Sequence, residues 1–333
     1  MKAPADVDAL PPAPPMTWAQ RRTYLLYVTV WELVARLPEV VARRLPQWLG
    51  SLWHRFARDS QRDRVRSHLA RIRPDLDAAA LDDLTREAYV SYTRYWIDAF
   101  RVHRMDVAEV AARVRLDNKH KVDETLEDGG AILATQHLGS WDVGALWSID
   151  GGWPMWVVAE VVEPRSLFDR FVRLRQQAGA GVIPLVKGGD MIDRMERVVD
   201  EGGLATLLAD RDLTGRGPVV SFFGEPCRLP AGPAVLARRT GRPVSVASFV
   251  TEGDDWLGVC QGDPLDLAEL SVEEGTQQLA YRMEDLIRRF PEQWHVFVRQ
   301  WLVEREPDHP AVAAWRRDPE GWLDDPTWRE AAS

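Results

Sequence analysis

The sequence predicts an α/β fold with a mostly parallel central sheet flanked by helices, preceded by an N-terminal helical, membrane-interfacial region. Three observations predict it. After DETLEDGG, residues 123–130, short apolar runs of strand length alternate with stretches of helical period, the pattern of strands joined by crossover helices. Residues 17 to about 116 instead carry helical spacing without such alternation. The chain, 333 residues long, can bury a large core, and its two cysteines, Cys227 and Cys260, are too few for a disulfide framework or a thiolate zinc site, which suits a reducing compartment.

Taken in order, residues 1–16 (MKAPADVDALPPAPPM) hold five prolines and no apolar run, so they read as a loose leader and not as a secretory signal. Residues 17–116 read as helical throughout, with Pro38, Pro46 and Pro74 punctuating the segments and Leu81, Leu84, Ala88, Tyr92 and Phe100 near helical spacing. Residues 117–303 form the α/β core. Its expected strands are AILAT, MWVVAE, GVIPLV, LATLLAD, VVSFF, PVSVASFV and WLGVC, and its expected helices span 164–179, 189–202, 233–241 and 271–290. Two of these helices end at a glycine, Gly179 and Gly241, suited to the left-handed residue that closes a helix. A Pro-rich acidic tail, 304–333, spaces Trp315, Trp322 and Trp328 six or seven apart; docking on the body is the only role read for it.

Charge is uneven along the chain. Residues 17–73 carry twelve Arg against Glu32, Glu39, Asp59 and Asp63, a net +8, whereas the whole protein is at −9. A basic head can face nucleic acid or an anionic membrane. Aromatic and aliphatic residues interleaved with the arginines, among them Trp18, Leu25, Tyr27, Trp31, Trp48 and Phe56, favour a headgroup interface over a groove that tracks phosphates, so a membrane surface and no nucleic acid is expected. The same aromatics packed as ordinary core helices are the other reading. The best spanning candidate, YLLYVTVWELVA, has twelve residues including Glu32, against the roughly 20 apolar residues a transmembrane helix needs.

The chemistry is sought in QHLGSWDVG, residues 136–144, which follows the strand AILAT and leads into a helix with Ser140 as its expected N-cap. Crevices at the carboxyl ends of strands are where open α/β sheets bind ligands. The spacing lets Asp142 fold back and accept a hydrogen bond from His137 Nδ1, leaving Nε2 to take a proton, while backbone N–H groups at the helix start face a developing oxyanion. The bland alternative has His137 capping a turn and Asp142 favouring a helix N-terminus.

QHLGSWDVG, then WVVAE, FVRLRQQAGAGVIPL, LLADRDLTGRGPVVSFFGEPCRLPAGPAVLARRTGRPV and WHVFVRQW, together resemble the lysophospholipid acyltransferase superfamily in its lipid A biosynthesis branch, and within it the actinobacterial phosphatidylinositol mannoside acyltransferases, over residues 20–303. The resemblance implies transfer of a fatty acyl chain from acyl-CoA to a sugar hydroxyl of a membrane glycolipid, by a peripheral protein on the cytoplasmic face. It implies His137 as general base and Asp142 as its orienter, and no cofactor beyond the donor substrate. Among further substrate-binding candidates, Arg175 is read as a donor to a phosphate or carbonyl, or else as a solvated helix charge. Glu160 ends a strand, where a crevice role is open. Asp210 and Arg211 follow the strand LATLLA and either serve the crevice or pair with each other. Glu225, in FFGEP, lies near the superfamily's glutamate–glycine pair, but here the order is Gly224 then Glu225.

Other constellations fail. Cys227 reads as a buried inert thiol, GRG at 215–217 lacks a dinucleotide-binding context, no metal-ligand spacing occurs, and the remaining histidines, including His68 and His295, read as solvated or packed. A thioester hydrolase and a non-catalytic lipid-binding protein of the same fold remain as alternatives to the transferase.

Overall fold

A computed structural model describes residues 15–332 except 128, 178, 179 and 187; the leader through residue 14 and the helix-ending Gly179 thus fall outside the described residues. Four long helices come first: α1 (Trp18–Ala35), α2 (Glu39–Phe56), α3 (Asp59–Ile72) and α4 (Ala78–Arg101), followed by the short α5 (Val107–Ala112). Thr17 opens α1 with a capping box through Gln20, and Asp77 caps α4 by accepting from the Ala80 N–H. Pro46 departs from expectation: it lies inside α2, buried, instead of ending a segment. The helical run also stops earlier than predicted, because residues 114–117 form β1 (Val114–Asp117) at the edge of the sheet.

The core then alternates as the pattern predicted: α6 (His120–Glu127), β2 (Ala131–Thr135), α7 (Trp141–Asp150), β3 (Met155–Glu160), α8 (Arg165–Gln177), β4 (Gly181–Leu185), α9 (Met191–Asp200) and β5 (Leu204–Leu208). A separate antiparallel hairpin, β6 (Val219–Phe222) with β7 (Glu225–Arg228), precedes α10 (Gly232–Thr240), β8 (Val244–Glu252), β9 (Asp255–Cys260) and α11 (Val272–Arg289). Gly241 ends α10 in the left-handed conformation, as expected, with φ 66°. The seven-stranded sheet runs β1-β9-β8-β2-β5-β3-β4, parallel from β8 to β4, with β9 turned back on β8 and paired parallel with β1.

Strand burial explains this order. The central β2 is buried at all five residues, as a run of small and branched apolar side chains covered by helices on both faces should be. The polar edge strand β1 is mostly exposed. The tail adds α12 (Leu302–Arg305), α13 (Pro310–Arg317) and α14 (Thr327–Ala332), which bury Leu302, Val312, Trp322 and Trp328 together, and Arg228 in β7 clamps Glu306.

The helical head is tied to the sheet by charge. Glu39, at the start of α2, binds Arg43 (2.8 Å), Arg101 (2.7 Å) and Arg113 (3.2 Å), while Arg43 also reaches Asp254 (3.2 Å) at the β8–β9 turn. Burial alone would raise the Glu39 carboxyl, but hydrogen bonds from Arg43 and Arg101 outweigh it and lower it to about 2. A carboxyl depressed in the folded state stabilises above its unfolded pKa and loses that contribution as pH falls through the folded value. Glu39→Gln is therefore expected to lower the melting temperature at pH 7, with the gap to wild type closing between pH 4.5 and about 2; melts of both proteins across that range check it.

The outer faces of α1 and α2 are apolar and unpartnered. Trp18, Trp48 and Phe56 are 81%, 82% and 74% exposed, and Leu26, Leu33 and Val40 are exposed as well. Trp31, on the inner face of α1, packs on Phe100 and Phe171 instead. Trp31 is thus packed as core, whereas Trp18, Trp48 and Phe56 stay exposed. Among the described residues, no helix is long and apolar enough to cross a membrane.

Candidate active site

β2 delivers His137 to the carboxyl end of the sheet, where the chain leaves through Gly139, at φ +72°, and enters α7. A side chain at Gly139 would collide with the backbone of Phe249 and Val250, at 2.3 and 2.6 Å, so the turn can pass this close to β8 only as glycine. Its N–H donates to Gln293 O (3.0 Å), and the Ser140 N–H donates to Phe249 O (2.7 Å). Two of the amides expected to face an oxyanion are thus already engaged. The Ser140 hydroxyl donates to the buried Asp98 (3.0 Å).

The partner of His137 is not Asp142. His137 Nδ1 lies 2.8 Å from Asp210 Oδ1, and the His137 backbone N–H donates to Asp210 Oδ2 at 2.9 Å. The register explains it. β2 and β5 are neighbours with Thr135 opposite Leu208, so two residues further along, His137 and Asp210 leave the two strands side by side. Asp142 has instead turned with the first turn of α7 toward α8 and α4. Its Oδ1 accepts from Arg175 Nε (3.0 Å) and Nη2 (2.8 Å), and its Oδ2 from the Tyr95 hydroxyl (3.2 Å).

Asp210 is fully buried. Burial pushes its carboxyl up, but the His137 ring and the hydrogen bonds from His137 and Trp294 outweigh that and hold it below the usual carboxylate range. An ionised Asp210 accepts only, so the facing Nδ1 must carry the proton and His137 Nε2 is left as the acceptor. His137 keeps 20% side-chain exposure, and among the described residues no protein partner takes its Nε2.

Residues 293–300 close the site from below. The His295 N–H donates to His137 O (2.7 Å), Trp294 Nε1 to Asp210 Oδ2 (2.8 Å) and Gln300 Nε2 to Asp210 O (2.6 Å). Sequence reasoning used WHVFVRQW only as a resemblance and set His295 among the packed or solvated histidines. It is packed, stacked on Tyr92, with its Nε2 2.9 Å from the Ser91 hydroxyl, and burial first, with the nearby His137 second, lowers it to about 3. It therefore stays neutral beside the site.

The other expected residues are dispersed. Glu160 ends β3, exposed, at the mouth of a cavity. Arg211 follows Asp210 half-buried, and the pairing of the two weighed from sequence is absent, since His137 and Trp294 take the carboxylate. Glu225 opens β7 and is held by Arg71 of α3 at 2.9 Å, within a cluster that includes Glu304 and His68. Cys227 is buried, and burial pushes its thiol far above the ordinary range, so it is no nucleophile.

The cavity has a volume of about 320 Å³. It begins at Asp142, Arg175 and Glu160 and follows the face of the sheet past Val157 to Met155, the length of β3, or roughly 17 Å at a strand's rise per residue. Its walls are mostly apolar, with Asp117, Lys119 and a few hydroxyls among them, and Trp141 on its wall packs against the His137 ring, so it suits a hydrocarbon chain whose polar end stays near His137. The helical head sits at this same end of the sheet. Gln20 of α1 reaches Glu163 just after β3 (3.5 Å), and Arg43 of α2 reaches Asp254 just after β8.

A crevice at strand ends, an imidazole with one free nitrogen and the opening of a mostly apolar channel lie together here. The family of bacterial lipid A biosynthesis acyltransferases matches residues 15–303, and the chain belongs to that family; it is an acyltransferase. Among curated relatives, it is 35% identical over 292 residues to a phosphatidylinositol mannoside acyltransferase of Mycolicibacterium smegmatis, covering 87% of this chain and 94% of that one. It is 33% identical over 300 residues to a protein of the same name from Mycobacterium tuberculosis, covering 89% and 93%.

Proposed function

We propose that this acyltransferase moves a fatty acyl chain from acyl-CoA to a mannose hydroxyl of a phosphatidylinositol mannoside, at the cytoplasmic face of the membrane. The names of the two relatives support the acceptor, and the hydrogen bond between His137 and Asp210 is the observation that carries the mechanism. His137 Nε2 removes the hydroxyl proton as the oxygen attacks the thioester carbonyl. The C–O bond forms, and the oxyanion meets the backbone N–H groups of Trp141 and Asp142 at the start of α7, the first-turn amides not taken by Ser140 O. The intermediate then collapses with cleavage of the C–S bond, and the imidazolium returns its proton to the departing CoA sulfur. Asp210 stabilises the imidazolium in between. Transfer is direct, because among the described residues no serine or cysteine near His137 is set up as a nucleophile: the Ser140 hydroxyl donates to Asp98 and Cys227 is buried. Arg175, already fixed on Asp142, Glu160 at the cavity mouth and Arg211 beside Asp210 are the groups proposed to meet polar parts of the substrates.

Purified protein with labelled acyl-CoA and phosphatidylinositol mannoside tests this. Acylated glycolipid is expected; free fatty acid would make the protein a thioester hydrolase, and no turnover would make it a lipid-binding protein. The cavity makes a further expectation. Ala247, on its wall, replaced by Phe should shorten the preferred donor, with long-chain acyl-CoA losing activity at least tenfold relative to a short-chain donor, as a chain-length series will read.

The membrane orientation is proposed from the exposed face of α1 and α2 together with their place at the crevice end of the sheet. Arg43 is committed to Glu39 and Asp254, which leaves Arg21, Arg22, Arg44 and Arg55 as the exposed cations beside the apolar stripe. Near an anionic surface each contributes on the order of 1 kcal/mol. Changing these four to Gln should weaken sedimentation with anionic vesicles and slow transfer to a membrane-embedded acceptor more than to a soluble short-chain analogue. Unchanged vesicle binding would remove this orientation.

A further inference from the structure

Asp210 is surrounded by more donors than orienting an imidazole requires. Its Oδ1 serves His137 Nδ1, while its Oδ2 takes two N–H groups, from the His137 backbone and from the indole of Trp294. Trp294 is itself 3% exposed, and its backbone bridges Leu138, the residue after His137. One residue thus touches both strand ends that carry the pair. Its ring lies among Phe222, His68 and Trp301, where a bicyclic ring of the same shape without the N–H would pack equally well. Packing alone does not call for an indole; the N–H does, since a buried indole N–H needs an acceptor and a fully buried carboxylate needs donors.

We infer that Trp294 is a positioning residue for acyl transfer: its indole N–H, together with the His137 backbone N–H, pins Asp210 Oδ2 so that Oδ1 stays aimed at His137 Nδ1. Carboxylate rotation about its terminal torsion is soft, so a carboxylate held on one side only can turn its acceptor away from the imidazole. With the indole bond in place, Oδ2 is fixed from two directions, and the proton on Nδ1 has one acceptor in one place. The inference rests on His137 being the base.

The test compares Trp294→Phe with the isosteric replacement of Trp294 by β-(3-benzothienyl)alanine, which exchanges the N–H for sulfur and keeps the ring shape. Both should lower kcat roughly ten- to hundredfold, the range for one lost hydrogen bond to a buried charge, with KM for donor and acceptor within about twofold. The downfield proton resonance of His137 Nδ1–H should move upfield or vanish. The Phe variant can also lose activity by misfolding, but the isostere preserves packing, and its melting temperature verifies that. An isosteric variant with wild-type kcat and an unmoved resonance, alongside an inactive His137→Ala control, would overturn the role of Trp294 and leave the base intact. An active His137→Ala would overturn both.

Discussion

Replacement of His137 by Ala is expected to lower acyl transfer by about 10²–10⁴-fold, the usual worth of a general base, in a protein that still folds though with a lowered melting temperature, since Asp210 Oδ1 loses its donor. That the variant still folds follows from where the ring sits. His137 is held mainly through its backbone, whose N–H donates to Asp210 and whose carbonyl accepts from His295, and both bonds survive truncation of the side chain. What is lost is the one acceptor nitrogen facing the crevice. The deficit should therefore appear in kcat, since the cavity proposed for the donor chain is lined without His137. Turnover near wild type, measured with folded protein at saturating donor, would end the proposal that His137 is the base.

Asp210→Asn should be nearly as severe, about 10³–10⁴-fold in kcat, at almost unchanged side-chain volume. Three N–H groups converge on this carboxylate. An amide offers one oxygen and an NH2 group, so one of the three must now face a donor. The imidazole can relieve that clash by moving its proton to Nε2, which turns the nitrogen facing the substrate hydroxyl from acceptor to donor. The corresponding change in Ser-His-Asp hydrolases costs about 10⁴ in kcat through the same switch of tautomer. Fully buried beside Trp294 and Gln300, the amide should fold with only a modest loss of melting temperature. Wild-type kcat in a folded Asn variant would show that the carboxylate is structural.

How far the sequence leads can be seen at these two residues. The strand AILAT was legible because a five-residue apolar run between turn signals has few other fates, and that alone places His137 at a strand's carboxyl end. Its partner was not legible. The Asp that shares its loop, five residues on, is carried off by a helical turn to Arg175 and Tyr95, whereas the one that meets it, 73 residues on, is brought by strand order. Spacing along a chain says nothing about which strands are neighbours. Two strands escaped notice for local reasons. β1, VRLD, is polar and exposed at the sheet edge, and β7 contains Pro226, which reads as a turn residue and is tolerated here in a two-stranded hairpin. Pro46 misled in the opposite direction, sitting buried within a helix that simply continues past it.

The hydrogen bonds from residues 293–300 to His137 and Asp210 also carry a consequence in time. His137 leaves the ribosome long before Trp294 and Gln300, and no shorter stretch of chain contains all the groups that fix it. Synthesis adds about 5–20 residues each second, so tens of seconds at the slow end of that range separate the arrival of the imidazole from the arrival of its supports. During that interval the growing polypeptide already holds an exposed apolar stripe in its first helices, able to meet a lipid surface while the reaction centre is still unassembled. On the proposed membrane orientation, attachment and activity are ordered by the direction of translation: a truncated chain ending before residue 294 is expected to bind vesicles without turning over acyl thioester.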